Sequence, residues 1–397
     1  MMIIFPVVSV VFVLLYKNNM IMTKKQAGQL KKTQMRIIFR SKHFTLRRNL
    51  LKPSAKNIWK TAGKITGLCL LFLGYLIWAA WCFGAICYAP LPGVIRYVCA
   101  GVLVILILSA PLMRPRLYFT AGACLVMLVI SGLWCLILPS NDRSWAPESA
   151  RLPEIRWHED GKSFTVRNIR DFRYRTTRDF DVAYLDRTYS LDDMTGLEYA
   201  VVYWEQLLDD EVAHSMLSFR FRNGESLVFS CEARRPIDGQ YGAIHDLYKQ
   251  SGLIYIIGTE RDLFGVRTNY REPREQVYLY ATNATGEQRT AIFRDLAKRV
   301  NALHTEPQFY NTLTSNCITS LIPSIRAGVD IPLFRPAYVL SGFSDHLAYK
   351  LGFLTLRYDE ETFEELRKRS CINPRVADWN GDPDSYSSLI RKDNISK

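Results

Sequence analysis

No aspartate or glutamate occurs between residues 17 and 138 of this 397-residue chain. That absence divides the sequence before any other feature is weighed. Residues 17–65 hold fourteen Lys or Arg, whereas residues 66–138 hold only Arg96, Arg114 and Arg116. The other 34 basic residues share residues 139–397 with all 38 acidic ones, so the net charge of +13 belongs to the amino-terminal part. A duplex-binding surface needs basic residues clustered on a folded domain. The large polar part is close to neutral, which excludes nucleic acid as the partner.

Cysteine is scarce where it would matter most. Of nine cysteines, Cys69, Cys82, Cys87, Cys99, Cys124 and Cys135 lie in apolar runs, where the side chain acts as a small hydrophobe. Only Cys231, Cys317 and Cys371 lie in the polar part. Three widely spaced cysteines form no disulfide framework, and no CxxC pair marks a zinc site. At least one of the three stays unpaired within its chain. GxSxG, P-loop and HExxH patterns are all missing, and His158-Glu159-Asp160 lacks metal-ligand spacing. Neither a metal nor a cofactor is expected.

Three uncharged apolar runs follow the basic segment: Thr66–Tyr88, Tyr97–Met113 and Leu117–Leu138. Each approaches the ~20 residues that cross ~30 Å of hydrocarbon, and none carries the polar stripe of a soluble helix. They read as a tight three-helix transmembrane hairpin array over residues 66–138. The positive-inside rule keeps residues 23–65 in the cytoplasm and returns Arg114 and Arg116 to that side. An odd number of crossings then exports everything after a linker at 139–154. Within residues 30–51, Ile37, Ile38, Phe39, Phe44, Leu46, Leu50 and Leu51 alternate with Lys and Arg, a pattern that fits a helix lying on anionic lipid or a solvated basic tail. Residues 1–22 read as an apolar leader or an extra helix, and the alternatives stay open. Met2–Tyr16 reaches only ~22 Å as a helix and contains Pro6.

Residues 155–397 read as a polar α+β domain. Strand-like runs cover Phe164–Ile169, Tyr199–Trp204, Ala213–Phe221, Leu227–Glu232, Leu253–Ile257 and Gln276–Tyr280. A helix is predicted over Glu287–His304, with Ile292, Leu296, Val300 and Leu303 on one face. Ser315-Asn316 caps a second helix that starts at Cys317, with Pro323 kinking or ending it early and Gly328 as its terminator. Strands first and helices after predict a largely antiparallel sheet.

Thiol chemistry needs a nucleophile, a base, a group orienting the base and donors for an oxyanion. Cys317 has the position at which helix dipoles lower a thiol pKa. His214 opens a strand and is the candidate base, with His245, His304 and His346 (beside Asp345) as rivals. The apolar faces Leu217, Phe219, Phe221 and Leu227, Phe229, Cys231 match only across an odd-length loop, expected at Asn223-Gly224-Glu225. In that register Glu232 shares the face of His214, diagonally across the pair. It is the candidate to hold the imidazole tautomer. The plainer readings are a buried cysteine, an edge histidine and a surface glutamate.

Tyr310-Asn311-Thr312-Leu313-Thr314-Ser315-Asn316-Cys317-Ile318-Thr319 resembles the Asn-Cys-Thr-Thr region of the Lnb N-terminal periplasmic domain family. The runs 213–221, 229–235 and 257–262 are similar to further strands of that family, and the resemblance spans roughly residues 155–355. Ile318 departs from the usual Thr. The family is similar in turn to circularly permuted papain-like domains of the NlpC and lecithin:retinol acyltransferase type, in which His precedes Cys. The resemblance implies a Cys317 nucleophile, a His214 base and a polar orienting residue. It also implies acyl chemistry at membrane lipid, with a phospholipid acyl donor and a lipoprotein or peptide acceptor, as in lipoprotein N-acylation. The expectation is a multi-pass protein of the bacterial inner membrane whose carboxy-terminal domain is a periplasmic thiol acyltransferase or lipid-directed hydrolase. A cell-wall peptidase or amidase, and a non-catalytic envelope-binding domain, are the alternatives.

Overall fold

The computed structural model of the chain describes residues 55–204, 212–240, 242–332, 335–338 and 340–392. The expectations for residues 1–22 and for the basic stretch 30–51 lie outside the described residues. The chain divides into two compact units, Met1–Leu136 and Ile137–Lys397.

The first unit contains three helices, α1 (Ala55–Cys87), α2 (Gly93–Ser109) and α3 (Arg116–Cys135). The expected first span began at Thr66; α1 starts further upstream and takes Lys56, Lys60 and Lys64 into the helix. Within it, Gly63–Cys87 is long and apolar enough to cross a membrane, as is α3, while α2 at 17 residues is shorter. Its ~26 Å rise falls a little under the ~30 Å hydrocarbon thickness. Small side chains let the helices meet: Ala79, Cys82, Leu103, Ile107 and Met127 form a buried cluster. Trp78 Nε1 donates to Ser131 Oγ at 3.1 Å, and Trp81 meets Trp134 edge-on at 5.1 Å.

The second unit is of the α+β class that the order of its elements predicts. Its strands are β1 (Glu154–Trp157), β2 (Ser163–Arg170), the short pair β3 (Arg173–Tyr174) and β4 (Phe180–Asp181), β5 (Tyr184–Ser190), β6 (Met194–Tyr203), β7 (Ala213–Phe221), β8 (Ser226–Arg234), β9 (Gly252–Gly258) and β10 (Gln276–Ala281). One sheet runs β1-β2-β9-β8-β7-β6-β10, with β5 on β2. All its contacts are antiparallel except the single parallel pair of β2 with β9, Arg170 with Gly258.

Both faces of the central strands are covered, which is why β6 and β7 are buried almost throughout. Leu217, Phe219 and Phe229 pack against Ile292, Phe293 and Leu296 of α4 (Gly286–Thr305) and Ile318 and Leu321 of α5 (Cys317–Gly328). On the other face, Met216, Val228, Ile254 and Ile256 meet Leu263, Phe264, Ile372, Val376, Tyr386 and Ile390. The carboxy-terminal segment thus forms the third layer.

Two local expectations are corrected. Pro323 does not end α5, which runs on to Gly328. A proline removes one ladder donor and crowds a carbonyl one turn back; here the Tyr255 hydroxyl donates to Ser320 O at 3.0 Å in that region. The β7–β8 hairpin pairs Arg220 with Ser226, and Phe221 N donates to Glu225 O at 2.9 Å. The loop is therefore Arg222-Asn223-Gly224, one residue earlier than expected at both ends. Gly224, at φ 86°, supplies the left-handed turn. The shift changes the register by two residues, so every side chain keeps its face.

Charge pairs tie the third layer to the sheet. Arg391 donates to Glu198 Oε1 at 3.0 Å and to Glu260 Oε2 at 2.8 Å, and both carboxylates are buried. Replacing Arg391 by Met leaves two buried carboxylates without their cation, which typically costs about 3–5 kcal/mol. Equilibrium urea unfolding should show a loss of that order. A shift below about 1 kcal/mol would mean the two carboxylates are held by something else.

Candidate active site

The site is built where β7 and β8 part. Their ladder runs from Arg220 with Ser226 to Met216 with Ser230 and stops there. Beyond that point β8 pairs only with β9, through Cys231, Glu232, Ala233 and Arg234. The released edge of β7 needs new partners for its backbone groups. At Ala213 one is Ser341, whose hydroxyl donates to the carbonyl at 2.6 Å and accepts from the N–H at 3.0 Å.

The other is Cys317. Asn316 caps α5 by accepting from Ile318 N at 3.1 Å and Thr319 N at 2.9 Å, while Asn316 N donates to Thr319 Oγ1 at 2.8 Å. This capping box fixes Cys317 as the first residue of the helix. The preceding loop is closed by Ser315 N donating to Asn311 O at 2.9 Å, and Asn316 Nδ2 donates to Thr312 O at 2.9 Å. The Cys317 thiol then donates to Ala213 O at 3.7 Å, and the Ser215 N–H also faces the sulfur. Sulfur and strand thus meet at the two residues that flank His214.

His214 projects from the face of β7 that carries Met216, toward β8 and the turn after β9. Its Nε2 lies 2.7 Å from Ser230 Oγ, and Ser230 donates to Glu232 Oε1 at 2.8 Å. The direct His214–Glu232 separation is 3.7 Å, so the carboxylate acts on the ring through a hydroxyl. Glu232 also accepts from Arg267 Nη2 at 3.3 Å. Arg267 sits on a single π-helical turn, Val266–Tyr270, an irregularity frequent at functional sites.

Charge states follow from burial and neighbours. Burial pushes the Cys317 thiol up to about 11, against the pull of its own N–H and those of Ile318 and Ser215. The expected helix-dipole activation is therefore outweighed, and the resting site holds a neutral thiol. Burial, with the Arg267 charge, lowers His214 to about 3, so the imidazole is neutral too. Burial would raise Glu232, but the charges of Arg267 and Arg170 and the Ser230 hydrogen bond hold it at about 2, as a carboxylate.

The rival histidines are engaged elsewhere. His304 Nε2 is 2.9 Å from Pro153 O, and the His346 ring packs on Phe363 at 4.9 Å. Asp345 accepts from the Tyr280 hydroxyl at 2.8 Å, through the oxygen that does not receive the His346 N–H. His245 lies on the short helix Ala243–Leu247. Among the described residues no group of three or more His, Cys, Asp or Glu could hold a metal ion.

Sequence reasoning missed Ser230, Arg267 and Tyr310. Ser230 shares its face with His214 and was readable from the hairpin parity. Arg267 had no periodic signal, because it lies on an irregular turn. Tyr310 leads into the loop, and its phenol lies where the Cys317 N–H and the Cys317 sulfur both influence it. Beside the site, Tyr199, Ile318, Ile322, Ile325, Ile331, Leu347, Leu351 and Phe353, with neighbours, line a small, almost wholly apolar cavity of about 40 Å³. Tyr199 anchors its polar end, donating to Ser344 Oγ at 2.7 Å with Ser215 Oγ at 2.8 Å.

Residues 180–337 match the family described as the Lnb N-terminal periplasmic domain. The match takes in His214, Ser230, Glu232, Arg267 and Cys317. No curated protein and no solved structure matches the chain. Two preceding helices are long and apolar enough to cross a membrane, and with the match they point to a membrane protein with a periplasmic domain.

Acid should weaken this domain through two buried groups. Between pH 6.5 and about 3 the unfolded chain protonates His214 and the native site does not; between 4.5 and about 2 the same holds for Glu232. Stability is then present above these unfolded values and falls as protons bind the unfolded state. The urea midpoint should decline from pH 7 to 4, and His214→Gln should flatten the part of that decline between 6.5 and 4.5. An identical slope in both proteins would contradict the neutral, desolvated imidazole.

Proposed function

We propose that the chain is a membrane-anchored periplasmic thiol acyltransferase, or a hydrolase directed at lipid, that works through a thioester on Cys317. The reading includes a multi-pass topology in the bacterial inner membrane and membrane lipid as partner. The observation that carries it is the seat of the Cys317 sulfur, 3.7 Å from the carbonyl preceding His214, at the capped start of a helix. The ring of that histidine is held from its far side by Ser230 and Glu232.

In this mechanism the sulfur attacks the carbonyl of a phospholipid ester as His214 takes the thiol proton. The tetrahedral oxyanion is met by the Cys317 N–H and the Tyr310 hydroxyl, donors of the kind that stabilise such charge. Collapse breaks the ester C–O bond, and His214 returns the proton to the leaving alcohol oxygen. An amine of a lipoprotein or peptide acceptor, or water, then attacks the thioester and regenerates the thiol. The lining beside α5 is almost wholly apolar, which suits an acyl chain better than a cell-wall peptide, whose polar backbone would find few partners there; the cavity must widen to admit one.

Full-length protein in phospholipid nanodiscs should carry a hydroxylamine-labile acyl group on Cys317, detected by peptide mass spectrometry. Cys317→Ala should abolish it, and His214→Ala should slow its formation by roughly 10²–10⁴-fold. Trapping that survives in Cys317→Ala sinks the thioester mechanism. A covalent adduct formed with peptidoglycan fragments and not with phospholipid would transfer the same site to the peptidase reading.

A further inference from the structure

We infer that Ser230 and Arg267 are positioning residues for the His214 base: Ser230 fixes which ring nitrogen carries the proton, and Arg267 keeps Glu232 aimed and anionic behind it. The inference rests on the thiol-enzyme reading above. It goes beyond that reading by assigning roles to two residues other than nucleophile, base and carboxylate.

The argument begins with donors and acceptors. A serine hydroxyl has one proton to give. Ser230 gives it to Glu232 Oε1 at 2.8 Å, which leaves only its lone pairs for the ring nitrogen 2.7 Å away. His214 Nε2 must therefore be the protonated nitrogen of the neutral ring. The lone pair is then at Nδ1, which has no hydrogen-bond partner among the described residues. One ring nitrogen keeps its lone pair, and the other is tethered.

A tether of this kind holds only while Glu232 stays a carboxylate. Were it protonated, it would offer its own proton to Ser230, the hydroxyl would turn toward Nε2, and the tautomer would invert. Two cations set its state: Arg267 reaches Oε1 at 3.3 Å from the π turn, and Arg170 on β2 adds a second positive charge. Arg271 adds its charge at the imidazole, and Glu275 lies 3.5 Å from Arg267 Nε. Arg170 is itself bound to Asp262 at 2.8 and 3.0 Å, so Arg267, shared with Glu275, is the cation within hydrogen-bond reach of Glu232. The imidazolium formed during attack donates through Nε2 to Ser230, and the hydroxyl passes that stabilisation to the carboxylate without moving a proton onto it.

The experiment uses full-length protein in detergent with nitrogen-15 histidine; six histidines allow His214 to be assigned from a His214→Gln control. The wild-type spectrum should show the Nε2–H tautomer. Ser230→Ala should lose it, and Ser230→Thr, which keeps the hydroxyl, should restore it. In parallel, acylation of Cys317 by p-nitrophenyl butyrate should slow at least tenfold in Ser230→Ala and recover in Ser230→Thr. Arg267→Gln should raise the pH below which acylation is lost, with Arg267→Lys intermediate. An Nδ1–H tautomer in the wild type, or an acylation rate and pH profile unchanged in Ser230→Ala and Arg267→Gln, overturns the inference. If His214→Gln acylates as the wild type does, the thiol-enzyme reading fails, while the tautomer spectrum still decides what Ser230 does.

Discussion

A carboxylate inside a protein persists only if a cation stays beside it, and much of this domain is arranged around that requirement. Glu232 is at the end of the hairpin ladder, where β8 leaves β7 and its backbone groups turn to β9. The cation comes from Arg267, on a turn that abandons regular helical spacing to bring the guanidinium within reach. The same pattern recurs on this side of the sheet with Arg170 and Asp262, Arg261 and Asp171, and Arg391 between Glu198 and Glu260. Such pairs add little net stability over apolar packing, yet they tolerate no loss of one partner. They impose a single arrangement on loops that would otherwise have several.

The parting of the two strands has a second use. A continuous ladder would have spent the Ala213 carbonyl and the Ser215 N–H on β8. Released, they face the sulfur of Cys317, so the strand that carries the histidine also seats the nucleophile. Burial then keeps both groups uncharged. A thiol of this sort is not a standing thiolate.

Much of this was legible in the residues themselves. Asn316 before Cys317 announces a capped helix start, because an asparagine side chain can take the first free N–H groups whatever the rest of the fold does. The strand Ala213–Phe221 was readable to its ends, and face parity across the hairpin survived a loop error because a two-residue slip leaves alternation intact. Less was legible where distant residues decide the outcome. Nothing local says that Arg267 will meet Glu232 or that Arg391 will reach Glu198, whereas Gly328 did mark the end of α5. The strands β1 and β5 carry too many charged residues for their pattern to stand out. Ser230 is an intermediate case: its face was known, but only coordinates reveal that it stands between ring and carboxylate.

The third layer sets a boundary different from the one the family match draws. The matched segment stops at residue 337, while Ile372, Val376, Tyr386 and Ile390 cover the sheet face behind the site and Arg391 neutralises two of its carboxylates. A fragment excised at the end of the match would therefore expose one whole side of its sheet to water. The tail beyond 337 is part of the back wall of the sheet rather than an appendage.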